Sequence, residues 1–320
     1  MKFAALVLIW GSSFLLMKVG LESMQPMQIA GLRILSGAIV VLALLLTTGG
    51  ALPTEARVWG HLLVCGFFLA AFPFAMFATS ETRIASALAG IGNATTPIAT
   101  VVATLAILPG ERATGRRLAA IGIGFLGVVV IMQPWSLDGR PDLLGFGMAL
   151  AGGASYGVGW TYNRRFLAGS DIGGLSQPAA TLLCGLALMV PAEVLWAIST
   201  PGGLASLVAY SPNDSGPVWL PLLAVLALGV IGTGLAYMLQ FDVVRAAGPV
   251  VGSTITYLIP IVSVLLGVLV LGERLTLGTL AGFLIVLGAA AVVNGVRLRR
   301  TPALAADSPV DDESVLGQGG

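Results

Sequence analysis

Long runs of apolar residues, separated by short polar stretches, dominate the pattern along the chain. A helix needs about 20 apolar residues to cross a bilayer, and the runs predict helices at 3–21, 27–47, 58–79, 84–107, 117–134, 143–164, 173–198, 218–240, 247–271 and 276–296. We therefore predict an all-α polytopic membrane protein with ten transmembrane helices.

The ten predicted helices divide into two similar halves. Gly110-Glu111-Arg112 returns as Gly272-Glu273-Arg274 after 162 residues, and a shift of 163 residues pairs Pro97 with Pro260. Because each half holds an odd number of helices, the second half enters the membrane upside down relative to the first. The sequence predicts two inverted five-helix repeats, with helices 1–5 in residues 1–134 and helices 6–10 in residues 143–296.

Composition supports a lipid environment and indicates an orientation. The chain is 57% hydrophobic and 10% charged, with a mean hydropathy of +0.96, which excludes a soluble domain because too little polar surface is available. With both termini inside, eleven Lys and Arg residues fall on the cytoplasmic side and five outside, so the positive-inside rule predicts cytoplasmic N and C termini. Residues 301–320 have the polar, acidic composition of a disordered cytoplasmic tail.

Several kinds of chemistry are excluded by the residues themselves. The only lysines are Lys2 and Lys18, neither follows a glycine, and no phosphate-binding P-loop can form. His61 is the only histidine, which excludes a multi-histidine metal cluster. We expect neither an enzyme nor a cofactor, and no catalytic or metal site.

Two polar stripes occupy corresponding places in the two halves. The fourth predicted helix has polar or helix-breaking residues on one face, and so does the ninth: Asn93, Thr96, Pro97, Thr100 and Thr104 in the fourth, and Ser253, Thr256, Tyr257, Pro260 and Ser263 in the ninth. A mid-helix proline leaves a carbonyl unpaired, which is tolerated where the break faces protein or a water-filled cavity. Paired interrupted helices indicate a transporter's central site; the alternative is Ser and Thr bonding within or between helices.

Aromatic residues in other helices extend this candidate site. Trp10 and Ser13 lie in the first helix, Tyr156 and Trp160 in the sixth, and Tyr237 in the eighth. Trp and Tyr usually lie at the membrane interface. Their position near the middle of the membrane therefore favours the wall of a polar cavity. Buried helix packing is the alternative.

The charged residues near helix ends have two interpretations. Arg33 lies about two turns inside the second helix, where it either snorkels to the headgroups or faces a substrate or ion-pair partner. For Glu81, Arg83, Asp242 and Arg245 we expect capping or interfacial pairing. The predicted cavity then has hydroxyls, one amide and aromatic rings, without a central fixed charge.

Five short motifs, in order, resemble the EamA repeat of the drug/metabolite transporter superfamily. They are Trp10-Gly11-Ser12-Ser13-Phe14, Lys18-Val19-Gly20, Leu32-Arg33, Thr96-Pro97 with Gly110-Glu111-Arg112, and Pro260 with Gly272-Glu273-Arg274. The resemblance covers about 3–296 and implies ten helices in two inverted repeats that move small metabolites or drugs across the bacterial inner membrane, usually outward. One departure is Tyr156-Gly157-Val158-Gly159, where the second copy has less polar lining than the first.

These observations together predict a secondary active exporter that works by alternating access. The expected substrate is a small neutral, zwitterionic or amphipathic molecule, bound between the halves by Trp10, Ser13, Asn93, Thr96, Pro97, Tyr156, Trp160, Tyr237, Thr256, Tyr257 and Pro260. Expected partners are this small molecule and the lipid bilayer, with no nucleic acid; a coupling proton or ion and a homodimer stay open. The alternative is a multispan membrane enzyme or receptor without a transport cycle.

Overall fold

A computed structural model describes residues 2–108, 115–132, 142–170, 172–209, 217 and 219–295. The ordered elements in these ranges are helices, and no strand occurs among them. The loop with Glu111-Arg112 and the tail at 301–320 lie outside the described residues. Within the described residues the chain is an all-α polytopic membrane protein, as the sequence predicts.

Twelve α-helices follow one another along the described chain. They are α1 (Lys2–Gly20), α2 (Pro26–Thr47), α3 (Ala56–Gly66), α4 (Phe72–Ser80), α5 (Ser86–Asn93), α6 (Thr96–Ile107), α7 (Gly115–Met132), α8 (Leu143–Phe166), α9 (Ser176–Ser199), α10 (Leu220–Gly229), α11 (Ala236–Leu271) and α12 (Leu277–Gly295). Two π-helical segments, Phe67–Ala71 and Val230–Leu235, join α3 to α4 and α10 to α11, and a 3₁₀ turn covers Gly203–Leu207.

Helix length and hydropathy fit a membrane-spanning bundle. Five stretches in the described part of the chain are long and apolar enough to cross a bilayer: Pro26–Thr47, Ala56–Ser80, Ser86–Ile107, Ser176–Ser199 and Leu220–Val243. Shorter apolar helices cover Ala4–Gly20, Gly122–Ile131, Leu258–Leu271 and Leu277–Ala289. The helix α8 has 24 residues but ends in the polar sequence Asn163-Arg164-Arg165 before Phe166.

The fourth predicted helix is interrupted where the sequence predicts a break. Helix α5 ends at Asn93, α6 begins at Thr96, and Pro97 lies in the first turn of α6. A proline is tolerated there because the first N–H groups of a helix have no intrahelical partner. Glycines at 90 and 92 weaken the helix just before the break.

The predicted break at Pro260 is wrong, because helical backbone continues through it from Ala236 to Leu271. The residues before Pro260 include Ile255 and Ile259, which are fully or almost fully buried in the main apolar core. Ile91, before Pro97, is buried in the same core, so burial alone does not separate the two prolines; the seven residues before Pro97 include two glycines and those before Pro260 include none.

The predicted turn between the eighth and ninth helices also falls within α11. The contacts of α1 nevertheless show that the chain reverses direction after Asp242: Trp10 contacts Gly232 and Lys2 pairs with Asp242, whereas Gly11 lies against Val262. In a straight helix Gly232 and Val262 would be about 45 Å apart, yet they contact neighbouring residues of α1. The predicted spans 218–240 and 247–271 therefore run in opposite directions.

The two π-helical segments lie at equivalent positions of the two halves. The shift of 163 residues that pairs Gly66 with Gly229 also brings Phe67–Ala71 onto the start of Val230–Leu235. A π-helical turn disturbs the regular hydrogen bonds of an α-helix and is frequently found at functional sites. The sequence analysis did not predict either segment.

Small residues allow α7 and α12 to pack closely. A Cβ atom added at Gly127 would lie 3.0 Å from the Gly282 carbonyl oxygen. These two helices contribute no residue to the cavity described below.

Candidate substrate cavity

A cavity lies between the first half of the chain and the second. Its free volume is about 60 Å³, which is room for a few water molecules and less than the about 300–1,000 Å³ of typical small-molecule sites. Its wall comes from α1, α2, α4 and α5 of the first half and from α8 and α11 of the second: Trp10, Ser13, Phe14, Met17, Arg33, Phe74, Phe77, Asn93, Tyr156, Trp160, Tyr237, Thr256 and Ile259.

Carbonyl groups of the two π-helical segments orient the polar side chains around the cavity. The indole nitrogen Nε1 of Trp10 donates to the Gly232 carbonyl oxygen over 3.1 Å. The Tyr237 hydroxyl donates to the Leu69 carbonyl oxygen, and the Ser155 hydroxyl donates to that of Phe68 over 2.6 Å. Each segment thus accepts a hydrogen bond from the opposite side of the cavity, which links the two halves.

Seven of the predicted substrate-binding residues are in the cavity wall. They are Trp10, Ser13, Asn93, Tyr156, Trp160, Tyr237 and Thr256. Their presence around one cavity agrees with the predicted geometry, while their role in binding stays a prediction.

The other predicted residues are elsewhere. Thr96 is buried outside the wall, where its hydroxyl donates to the Gly153 carbonyl oxygen over 2.8 Å. Pro97 and Pro260 are buried and do not line the cavity. The side chain of Tyr257 lies outside the described residues.

Six wall residues are outside the predicted binding set: Phe14, Met17, Arg33, Phe74, Phe77 and Ile259. Five of them are apolar, and no sequence signal separates an apolar residue facing a cavity from one facing lipid. Arg33 is different, since a charge within a transmembrane helix is itself a functional signal.

Arg33 is buried in the cavity wall and does not snorkel. Its Cα lies about 10 Å along the helix axis from Pro26, the first residue of α2, and the residue is 5% exposed. The Nε group donates to the Thr233 hydroxyl over 2.8 Å, and the guanidinium carbon lies 3.8 Å from the centre of the Phe74 ring. The expected absence of a central fixed charge is therefore wrong.

Contacts at one end of the bundle join the beginning of α5 to both halves. Lys18 donates to the carbonyl oxygens of Glu81 and Ile84, over 2.6 and 3.3 Å. The Glu273 carboxylate accepts hydrogen bonds from the backbone N–H groups of Ser86 and Ala87, over 2.7 and 2.9 Å. Glu273 therefore neutralises the N-terminus of a helix in the opposite half.

Glu81, at this same end, is completely buried and was expected to be capped or paired. Glu81 is the C-cap residue of α4, but neither carboxylate oxygen has a hydrogen-bond partner among the described residues, so only the expected pairing of its side chain is wrong. Glu81 follows the last residue of the span Ala56–Ser80. Burial raises the pKa of the Glu81 carboxyl, an effect that Lys18 partly opposes.

Two other charged residues pair as expected. Asp242 accepts from Lys2 over 3.0 Å, and Arg83 donates to Asp142 over 2.9 Å. The bond from Arg83 lowers the pKa of the exposed Asp142 carboxyl. The side chain of Arg245 lies outside the described residues.

Comparison with known proteins shows the family. The sequence profile of the EamA-like transporter family matches residues 2–133 and again residues 143–295. The chain belongs to the EamA-like transporter family. The resemblance to the EamA repeat is thus confirmed. The protein is an integral inner-membrane transporter.

Relatives of this EamA-like chain have similar length. The "Uncharacterized inner membrane transporter YedA" of Escherichia coli K12 is 29% identical over 275 residues, covering 85% of this chain and 82% of that protein. The "Probable amino-acid metabolite efflux pump" of the same strain is 26% identical over 300 residues, covering 92% and 94%. A crystal structure with 23% identity superposes with a TM-score of 0.61 over 93% of this chain and 98% of that one, which supports the fold.

Proposed function

We propose that this EamA-like chain is a secondary active exporter of small neutral, zwitterionic or amphipathic metabolites or drugs. The observation that carries the proposal is the largely aromatic cavity between the two halves, with Trp10 of the first half hydrogen-bonded to Gly232 of the second. A site at the interface of two repeats is accessible to opposite sides of the membrane in turn when the repeats rock against each other.

An inverted-repeat architecture supports alternating access. The two stretches matched by the family profile, 2–133 and 143–295, agree with proposed repeats at 1–134 and 143–296, and the π-helical segments occupy equivalent places. We propose that helices 1–5 superpose on helices 6–10 about a pseudo-two-fold axis in the membrane plane. An experimental structure whose halves were related by an axis along the membrane normal would contradict this.

Contacts at the Glu273 end of the bundle are suited to act as a gate. Glu273 and the N-terminus of α5 belong to opposite halves, and their hydrogen bonds must break if the halves separate there. We propose that these contacts close one face of the transporter and that a coupled proton or ion drives their opening. With cytoplasmic termini, this face is the external one.

The relative named as a probable amino-acid metabolite efflux pump supports the outward direction. We further propose that the chain is not an enzyme, needs no cofactor, and resides in the bacterial inner membrane with its C-terminal tail, 301–320, in the cytoplasm. A homodimer would use apolar helix surfaces such as that of Phe125 and Leu284, which are 66% exposed.

Metabolite profiling of cells tests the proposal most directly. Cells that overexpress the protein should accumulate one or more small amphipathic metabolites in the medium, with lower levels inside. Cells expressing equal amounts of a Trp10→Ala variant should lose this difference. Unchanged metabolites inside and outside, or the appearance of a new reaction product, would favour the receptor or enzyme alternative.

A further inference from the structure

Arg33 has no counterion among the residues described. The ion pairs found there are Lys2 with Asp242 and Arg83 with Asp142, and no carboxylate oxygen is within 4.0 Å of the Arg33 side-chain nitrogens. The cavity wall contains no Asp or Glu. Arg33 is therefore a nearly buried cation facing a space that offers it no negative charge.

The neighbours of Arg33 fix the guanidinium without neutralising it. Thr233 accepts the Nε hydrogen bond and itself donates to the Leu228 carbonyl oxygen, and Phe74 lies against the guanidinium plane. The remaining donors are those of the two terminal nitrogens, and no described acceptor bonds to them. This fork of donors matches the two oxygens of a carboxylate.

A negative charge on Glu81 would act on Arg33 from a distance. Glu81 does not, however, occupy the place of an anion bound to the guanidinium. It is not in the cavity wall, and it makes no hydrogen bond to Arg33. Burial raises the pKa of the Glu81 carboxyl, which disfavours its negative charge. An unpaired buried cation is costly, so the site favours an anionic ligand.

The rest of the wall indicates the body of that ligand. Trp10, Phe77, Tyr156 and Trp160 present aromatic surface to the cavity, and no acidic residue is available there for an ammonium group. An aromatic or bulky apolar body with one carboxylate fits both features, whereas an amino acid adds a cation that the wall does not pair.

We propose that Arg33 binds the carboxylate of the transported molecule and that the preferred substrates are monocarboxylic acids with an aromatic or bulky apolar body. This inference rests on the proposed transport function and specifies its substrate class. Arg33 is then the residue that discriminates acids from neutral analogues of the same shape.

Binding of three matched probes to the purified full-length protein in detergent tests this directly. They are 3-phenylpropanoate, the neutral 3-phenylpropan-1-ol and the zwitterion phenylalanine, measured by calorimetry. The acid should bind at least about tenfold more tightly than the alcohol, since hydrogen bonds to a charged group contribute about that factor, and more tightly than phenylalanine. Equal affinities for acid and alcohol in the wild-type protein would overturn the proposal.

Variants assign the preference to Arg33. Arg33→Gln should lower the affinity for the acid far more than that for the alcohol and bring the ratio of the two affinities close to one. Arg33→Lys should retain part of the preference, because it keeps the charge without the planar fork. The control Arg83→Gln removes an arginine that is exposed and outside the cavity, and it should not change the ratio. A ratio that survives in Arg33→Gln would assign the preference elsewhere.

Transport assays in proteoliposomes separate the failure of this inference from failure of the proposed function. Transport of the alcohol or of phenylalanine with no preference for the acid would refute the role of Arg33 and leave the transporter intact. Binding of the acid without transport of any probe would support the anion site and count against the transport cycle.

Discussion

Trp10→Phe removes one hydrogen-bond donor from the cavity wall while keeping an aromatic ring there. The donor is the indole Nε1, which lies 3.1 Å from the carbonyl oxygen of Gly232 in the second π-helical segment. Loss of such a bond costs about 1 kcal/mol, rising to about 3 kcal/mol if the carbonyl stays unsatisfied, and bonds between membrane helices average about 0.6 kcal/mol. We therefore expect a loss near 1 kcal/mol in the free energy of unfolding.

The same exchange at Trp59 is a matched control. Its indole Nε1 also donates to a backbone carbonyl, that of Pro53 over 2.8 Å, but it is outside the cavity. Both variants should lose similar stability in thermal unfolding. Only Trp10→Phe should reduce efflux per folded molecule. If the lost hydrogen bond weakens substrate binding by about 1 kcal/mol, the reduction is about fivefold.

The assay is efflux from cells or proteoliposomes of the compound found by metabolite profiling, divided by the amount of folded protein measured by gel filtration. A smaller effect on efflux in Trp10→Phe than in Trp59→Phe would refute the reasoning. Equal reductions in both would show that efflux follows stability and not the cavity wall.

Three further predictions concern the cavity, the buried acid and the topology. Asn93→Leu should abolish efflux per folded molecule with near-normal membrane expression, while Cys184→Ala should not; unchanged efflux would remove Asn93 from the site. Glu81→Gln should raise thermal stability at pH 8 more than at pH 5. The pKa of the carboxyl is higher in the folded chain than in the unfolded chain, where it is about 4.3, so wild-type stability falls as pH rises above that value. A pH-independent difference would contradict it. Reporter fusions after Gly115 should signal cytoplasm and after Asn213 periplasm, and reversed signals would refute the topology.

Local chemistry explains which parts of the site were predictable. Pro97 interrupts its helix, where the missing N–H comes shortly after glycines at 90 and 92. Pro260 lacks the same N–H, but no glycine lies in the seven residues before it, and its helix continues. The sequence analysis weighed the two prolines alike and did not weigh the glycines beside only one of them.

The amino-acid sequence by itself determined the membrane class, the helical fold, the family and the aromatic and polar residues around the cavity, because hydropathy and residue type act locally. Only the tertiary structure decided that Arg33 faces the cavity, that Glu81 is buried without a partner, and that the π-helical carbonyls hold Trp10 and Tyr237. Helix rotation and relative depth decide these features. A lipid tail and a neighbouring helix are about equally apolar, so hydropathy cannot distinguish the side of a helix that faces one from the side that faces the other.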